Sequence, residues 1–404
     1  MHFDVGDKEF REAGLRWLRA LHDATIVDLR RVFAESPGFY PTTLITLWRQ
    51  EVYRRGLTAN LDCLARKSVV PPFPVGHPYD CDWRFTQATS KELVRQAAVL
   101  ATGGCMVHIG TPSTFAIAVE HYGEHRHVLL ERNAVAVHML QSRVSDKQEV
   151  IHIDLTRQAP PSLGAAVAIL DPPWYVADTL AFLAAGSHAC RKGAMLLVCQ
   201  PTSATRPGIA VEREQINQVL PALGLEVEEV RQRAVRYQTP HFEAMSLRVT
   251  EPGLNVPVDW RTGDLLLVRK TAPSHWKLAR SIGGEPWKEV QFGPVRIKLR
   301  ATDTAEDLTS LVPGDVLESV SRRDPIRSSI GFWTSGNRVY GLAHPGRVGK
   351  LVQLCNGDLK AMQFTVSRTL SHAKQLDIPA SVASRLFDVL LVELQEHTTF
   401  EEPP

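Results

Sequence analysis

No CxxC pair occurs among the six cysteines, at positions 63, 81, 105, 190, 199 and 355, so the spacings of zinc ribbons and redox dithiols are missing. Cys105 and Cys199 fall inside expected strands and read as small buried hydrophobes of a reducing compartment. Long apolar runs are also lacking. None approaches the ~20 residues that cross a bilayer, and the opening MHFDVGDKEF does not have signal-peptide composition. The expectation is a cytoplasmic protein with no membrane partner. Charge of one sign is scarce: 46 Lys+Arg against 44 Asp+Glu leave a net +2. No overall field then drives the chain onto nucleic acid, and any such binding needs a local patch. Repeats and low-complexity tracts are absent as well.

What is present is enough for two or three globular domains: 404 residues, 44% of them apolar and 22% charged. The chain is organised around AAVAILDPPWY, Ala165 to Tyr175. Its short apolar run reads as a buried parallel strand, which Pro172 and Pro173 terminate. Ligands of open α/β sheets lie beyond the carboxyl ends of the strands, so Asp171 to Trp174 are expected to face a site. Asp171 can accept a hydrogen bond from an exocyclic NH2, the Pro172 and Pro173 carbonyls can accept another, and Trp174 offers a stacking face. These are the residue types for chemistry on a planar amine. The bland alternative is a loop in which Asp171 caps the following helix and Trp174 is core.

The tetrapeptide resembles motif IV, (D/N/S)-P-P-(Y/F/W), of amino-methyltransferases that use S-adenosylmethionine (SAM). Its Trp form is similar to that of RNA adenine-N6 methyltransferases. The flanks, DCDWRFTQATSKELVRQ and CMVHIGTPSTF, resemble another branch, the elongation-factor lysine methyltransferases once taken for adenine-N6 enzymes. In that branch an aromatic QFWY segment precedes a helix and a first strand ending in APS rather than GxGxG. The resemblance covers about Asp80 to Thr202. It implies a Rossmann-like doubly wound sheet, SAM as cofactor, and catalytic roles for Asp171, Pro172, Pro173 and Trp174. It also implies that Trp83 and Phe85 of the aromatic segment, and Gly110, Thr111, Pro112 and Ser113 of the turn, hold the cofactor. Glu131 ends the second expected strand (His127 to Leu130), where an acid accepts from ribose hydroxyls. Asp154 ends the third (Val150 to Ile153), where the resemblance implies contact with the adenine amino group.

Around this core the chain reads as a helical domain over 1–70, a methyltransferase-like domain over 71–272, a β-rich accessory domain over 273–372 and a C-terminal helix over 373–404. Interleaved acids make the N-terminal arginines a solvated helix face, and SVVPPFPVGHPYD an extended linker. Tyr237, His241, Phe242 and Glu243 are expected in a turn between late strands, with His241 and Phe242 contacting substrate together with Tyr175. In SRRDPIRSSIGFWTSGNRVYG, Arg322, Arg323, Arg327 and Arg338 alternate with Phe332, Trp333 and Tyr340. Arg322, Arg327 and Trp333 could hold phosphates and stack a base, or form a hairpin with an aromatic core. His121, His125 and His127 straddle a helix-to-strand turn with no completing ligand, so no metal site is expected.

The expected function is SAM-dependent N-methyl transfer to an exocyclic amine, adenine N6 of nucleic acid first. The alternatives are a protein-lysine methyltransferase or a catalytically silent SAM-fold subunit of a larger complex. Nucleic acid is the first expected partner and a protein substrate the second. The apolar face of the last helix also allows a dimer or complex contact.

Overall fold

The computed structural model describes residues 5–58, 73–252, 256, 258–274, 287–304 and 307–401. The chain divides into two compact units built from alternating segments: 1–73, 83–239 and 257–282 form the first, and 74–82, 240–256 and 283–404 the second. The expected linker therefore contributes 74–82 to the second unit, while residues 59–72 lie outside the described residues.

The first unit opens on helices α1 (Val5–Ala20), α2 (Asp23–Ile26), α3 (Leu29–Glu35) and α4 (Pro41–Arg55). A Cβ at Gly14 would meet Leu47 Cδ1 at 2.5 Å, so α1 and α4 cross at close range. Buried Glu51 takes Arg54 and Arg55, which hold its carboxyl well below the usual range. Arg55 also donates to the carbonyls of Leu18, Arg19 and Leu21. Part of the arginine-rich face thus fastens helix ends together.

The sheet follows: β1 (Arg84–Phe85), α5 (Gln87–Ala101), β2 (Met106–Ile109), α6 (Pro112–His121), β3 (His127–Glu131), α7 (Ala134–Gln141), β4 (Gln148–His152), β5 (Ala165–Leu170), α8 (Val176–Ala189), β6 (Cys190–Pro201), α9 (Ile209–Val219) and β7 (Leu225–Gln238). Helix α10 (His241–Thr250) belongs to the second unit, and β8 (Thr262–Lys270) returns to the first. The eight strands lie in the order β4-β3-β2-β5-β6-β8-β7-β1. Strands β4, β3, β2, β5 and β6 are parallel, and β8 runs antiparallel between β6 and β7. Both faces are covered, which is why β2 and β5 are buried throughout rather than alternating. Val107, Ile109 and Leu170 pack with Leu183 of α8 and Ile216 of α9. Met106, Val167 and Ile169 pack with Val94 of α5 and Ile117 of α6. This is a Rossmann-like doubly wound sheet of the SAM-methyltransferase type, and its strand order reverses between β2 and β5, the switch point where such sheets bind ligands.

In the second unit an antiparallel sheet of β9 (Trp287–Phe292), β10 (Val295–Arg300), β11 (Phe332–Thr334) and β12 (Val339–Tyr340) packs with helices α11 (Pro345–Lys360), α12 (Val366–Gln375) and α13 (Ala380–Glu401). Two expectations are corrected here. The stretch read as β-rich carries α11 and part of α12, and within it Val316 makes a single bridge to Arg338. The turn expected around His241 and Phe242 is the start of α10, buried on every side from His241 to Leu247. Such burial leaves no apolar stripe to betray the helical period.

Candidate functional site

The ends of β2 and β5 bring the turn after Ile109 beside Asp171, whose amide donates to the Ile109 carbonyl at 3.2 Å. Gly110 sits at φ +62°, and a Cβ there would meet Phe182 Cε1 at 2.6 Å and the Asp171 carbonyl oxygen at 3.4 Å. Only glycine takes this conformation without strain. Gly110→Ala should cost about 1–3 kcal/mol of stability, read by urea denaturation, and should push the turn off Asp171. Helix α6 starts at once with Pro112 in its first turn, and first-turn amides have no carbonyl upstream in the helix. Thr111, Pro112 and Ser113 are all buried. Among the described residues the Thr111 hydroxyl has no hydrogen-bond partner. A buried hydroxyl left so is costly, and a polar ligand group at this turn would relieve it.

Asp171 carries the chemistry. Tyr237 donates its hydroxyl to Asp171 Oδ1 at 2.6 Å. Burial pushes the Asp171 carboxyl up to about 7, against the opposing pull of the Tyr237 hydroxyl and the Arg261 guanidinium. Desolvation wins because a carboxylate loses more on leaving water than one phenol and one partly screened cation return. The carboxyl therefore changes charge near neutral pH, the range for accepting a proton in a reaction.

Trp174 is 6% exposed, and its ring face does not await a base as the sequence suggested. The Arg261 guanidinium lies 3.8 Å from its centroid and 4.0 Å from that of Trp83. The Trp174 and Tyr237 rings meet edge to face at 5.5 Å, Phe85 lies 4.9 Å from Tyr237, and Trp260 meets Trp83 edge-on at 5.7 Å. Trp83 and Phe85, expected at the cofactor, thus wall the aromatic cluster behind Asp171. The Pro173 carbonyl accepts the Tyr175 amide at 2.7 Å, and the Trp174 carbonyl accepts from Arg206, which also pairs with Glu212. Pro172 is buried. The motif is therefore braced from within, and Tyr175 lies under the Arg206 guanidinium at 5.7 Å.

Glu131 ends β3 as expected and accepts the Asn133 amide on Oε1 at 2.7 Å. Asp154 lies two residues past the end of β4. Its Oδ1 takes the Thr156 amide and hydroxyl at 3.0 and 2.7 Å, and Arg157 stands 3.4 Å from Oδ2.

The remaining substrate candidates lie in the second unit. Trp333 is 2% exposed, donates Nε1 to Asn337 at 2.8 Å, and is ringed by His77, Tyr79, Trp287 and the Arg327 guanidinium. Arg327 donates to the Val320 carbonyl. Phe332, Tyr340 and Arg338 are buried too. The base-stacking reading of Trp333 is corrected to an aromatic core, because the rings pack on one another. Arg322 is half-buried in the same segment. His241 and Phe242 are buried in α10.

Sequence reasoning missed Arg206, Arg261 and Trp260, and expected Tyr237 in a turn, whereas it closes β7. No spacing signal links Tyr237 to Asp171, because only the β7–β8–β6–β5 sheet order joins them.

The sheet order, with the Gly110 turn and the Asp171 carboxyl at its switch point, is that of a Rossmann-like doubly wound α/β fold. No family model and no curated protein sequence matches the chain. Among solved structures it is similar to a branched-chain polyamine synthase variant of Thermus thermophilus, with N4-aminopropylspermidine and 5'-methylthioadenosine. The TM-score is 0.54 at 17% identity, over 69% of this chain and 95% of that one. The unmutated synthase from the same organism, with the same two ligands, gives 0.52 at 18% identity over 68% and 90%. At such identities the likeness concerns the fold.

Proposed function

We propose that the chain is a transferase that alkylates an amine nitrogen held at Asp171, with SAM as donor and methyl as the group moved. The observation that carries this is a buried carboxyl at the switch-point strand end, tuned to about 7 and oriented by the Tyr237 hydroxyl. The donor's fit rests on the Thr111 hydroxyl, the Gly110 turn and the acid Glu131. These residues would hold its polar parts, and when bound it would supply a methyl group on a sulfonium. Asp171 would accept a hydrogen bond from the amine while the nitrogen lone pair takes the methyl. The N–C bond would form as the S–C bond breaks, the donor would leave as a neutral thioether, and the proton shed by nitrogen would pass to the Asp171 carboxylate or to water. Holding the reactants in line is the main contribution of such a site.

Adenine N6 in nucleic acid is the acceptor we favour. The Arg261 guanidinium pulls on the Asp171 charge and would repel an acceptor that arrives as an alkylammonium. With the Trp174 face under Arg261, the base would rest on other surfaces. One observation favours a second reading. A carboxyl near 7 suits deprotonation of an alkylammonium, such as a lysine side chain or a polyamine, and the similar synthases hold a polyamine and 5'-methylthioadenosine. That thioether is what an adenosyl sulfonium leaves after giving up an aminopropyl group.

Methyl-labelled SAM and aminopropyl-labelled decarboxylated SAM, each offered with RNA, DNA, protein extract and spermidine, separate these readings. Label in nucleic acid with S-adenosylhomocysteine released supports the first, and label in spermidine with 5'-methylthioadenosine released supports the second. Donor binding by calorimetry without transfer to any acceptor would leave a silent subunit. In the same titration Glu131→Ala should weaken donor binding by about 1–3 kcal/mol, and an unchanged affinity would move the ribose elsewhere.

A further inference from the structure

Far from Asp171 in sequence, the second unit buries a second constellation. Glu393 and His397 stand one helical turn apart on α13, on the same face, and His241 opens α10. The three are 0%, 1% and 3% exposed. Each offers a ligand atom within 4.8 Å of the others, and among the described residues they form the one such group of three. We infer that His241, Glu393 and His397 bind a divalent transition-metal ion of the zinc type.

The donor set is two imidazoles and one carboxylate, which suits zinc. His397 Nε2 lies 3.5 Å from Glu393 Oε2, close to the roughly 3.3–3.4 Å between tetrahedral ligands each about 2.0–2.1 Å from zinc. The His241 and His397 ring centroids are 3.9 Å apart. The carboxylate is held the way ligating carboxylates are. Its Oε1 accepts the Thr334 hydroxyl and Arg338 Nη1, both at 2.7 Å, and its Oε2 accepts the Gly336 amide at 3.1 Å. Gly336 is required there, since a Cβ would fall on the Glu393 carboxylate. Ser335 Oγ lies 3.0 Å from His397 Nε2 and takes the Arg296 amide at 3.0 Å. Arg338 also pairs with Glu396, so the cation beside the carboxylate is balanced by a second acid.

The test uses the full chain, stripped with a chelator and dialysed. Elemental analysis after zinc addition should find one zinc per chain, with a raised melting temperature. Cobalt should give visible d–d bands of tetrahedral intensity. His397→Ala and Glu393→Gln should each weaken zinc binding by about 100-fold or more. Wild type that retains no zinc at micromolar concentration would overturn the proposal. So would undiminished binding in a His241→Ala, His397→Ala double variant. If His397→Ala does not fold, the wild-type cobalt spectrum and the conservative Glu393→Gln decide. Metal-free protein stabilised by acid but indifferent to zinc would make the pair an imidazolium partner of Glu393 instead, and the proposal would fall.

Discussion

Asp171→Asn should lower turnover by about 10²–10³-fold while donor affinity stays within about two-fold, because the lost interaction strengthens only as the amine is alkylated. The amide keeps the size of the carboxyl but can turn an NH2 toward the substrate and cannot take a proton. The wild-type pH profile should show kcat/KM rising through about 7 as the carboxyl ionises. Tyr237→Phe removes a hydroxyl that favours the ionised form, so its midpoint should move to higher pH. Stability should change in the opposite sense to activity. The folded-state value is raised from 3.8 to about 7, so this group's contribution is fully present below pH 4 and is lost as pH rises through 7. Asp171→Asn removes that loss. Above pH 7 it should be at least as stable as wild type, by up to about 4 kcal/mol at about 1.4 per unit. Chemical denaturation at pH 5 and pH 8 reads this directly. A variant equally active, or destabilised at pH 8, would remove Asp171 from the chemistry.

Arg296→Met should cost about 3–5 kcal/mol, the largest single loss expected in the second unit. Arg296 is 1% exposed. It donates to both Glu289 oxygens at 2.7 and 3.0 Å, to Asp80 at 2.6 Å and to the Val75 carbonyl at 3.2 Å, with Asp82 at 3.9 Å. Without it Asp80 and Glu289 lose this shared cation and keep Lys298, which stands 3.4 and 2.6 Å from them. Arg296→Lys keeps the charge but not the planar fork, and should recover only part of the loss. Denaturation followed by tryptophan fluorescence tests this, since Trp287 and Trp333 lie in the same unit. A loss under about 1 kcal/mol would mean that the acids are satisfied by water and Lys298.

The parallel core was legible because fully buried strands of this fold are short and apolar and stop at recognisable breakers. Glu131 ends its strand, and Gly110 and Asp171 directly follow theirs, where the sequence puts them, so the strand ends that meet at the switch point were legible. What surrounds Asp171 was not. Tyr237 lies near the end of β7 and Arg261 directly precedes β8, late antiparallel strands whose neighbours depend on sheet order, and the Arg261 guanidinium takes the aromatic face expected for a substrate. In the second unit the alternation of Arg and aromatic residues has two solutions with one sequence signature, a wet binding face or a dry core. Tertiary packing chose the core: Trp333 went inside and Arg338 found Glu393 and Glu396. The His241–Glu393–His397 group was invisible for a similar reason, since more than 150 residues separate its first member from the others.

The alternation of segments between the two units bears on how the chain is made. Residues 74–82 leave the ribosome more than 200 residues before Glu289 and Arg296, the partners of Asp80. During that interval His77, Asp80 and Asp82 have no β9–β10 sheet to join, and must wait in water while the first unit's early strands assemble. Strand β8, which lies between β6 and β7, is itself synthesised only after α10. Neither unit is therefore a contiguous fragment that a simple truncation could isolate. A chain cut near residue 272 would keep every strand of the large sheet, yet carry 74–82 and α10 as stranded apolar and acidic surface, a ready target for chaperones and proteases.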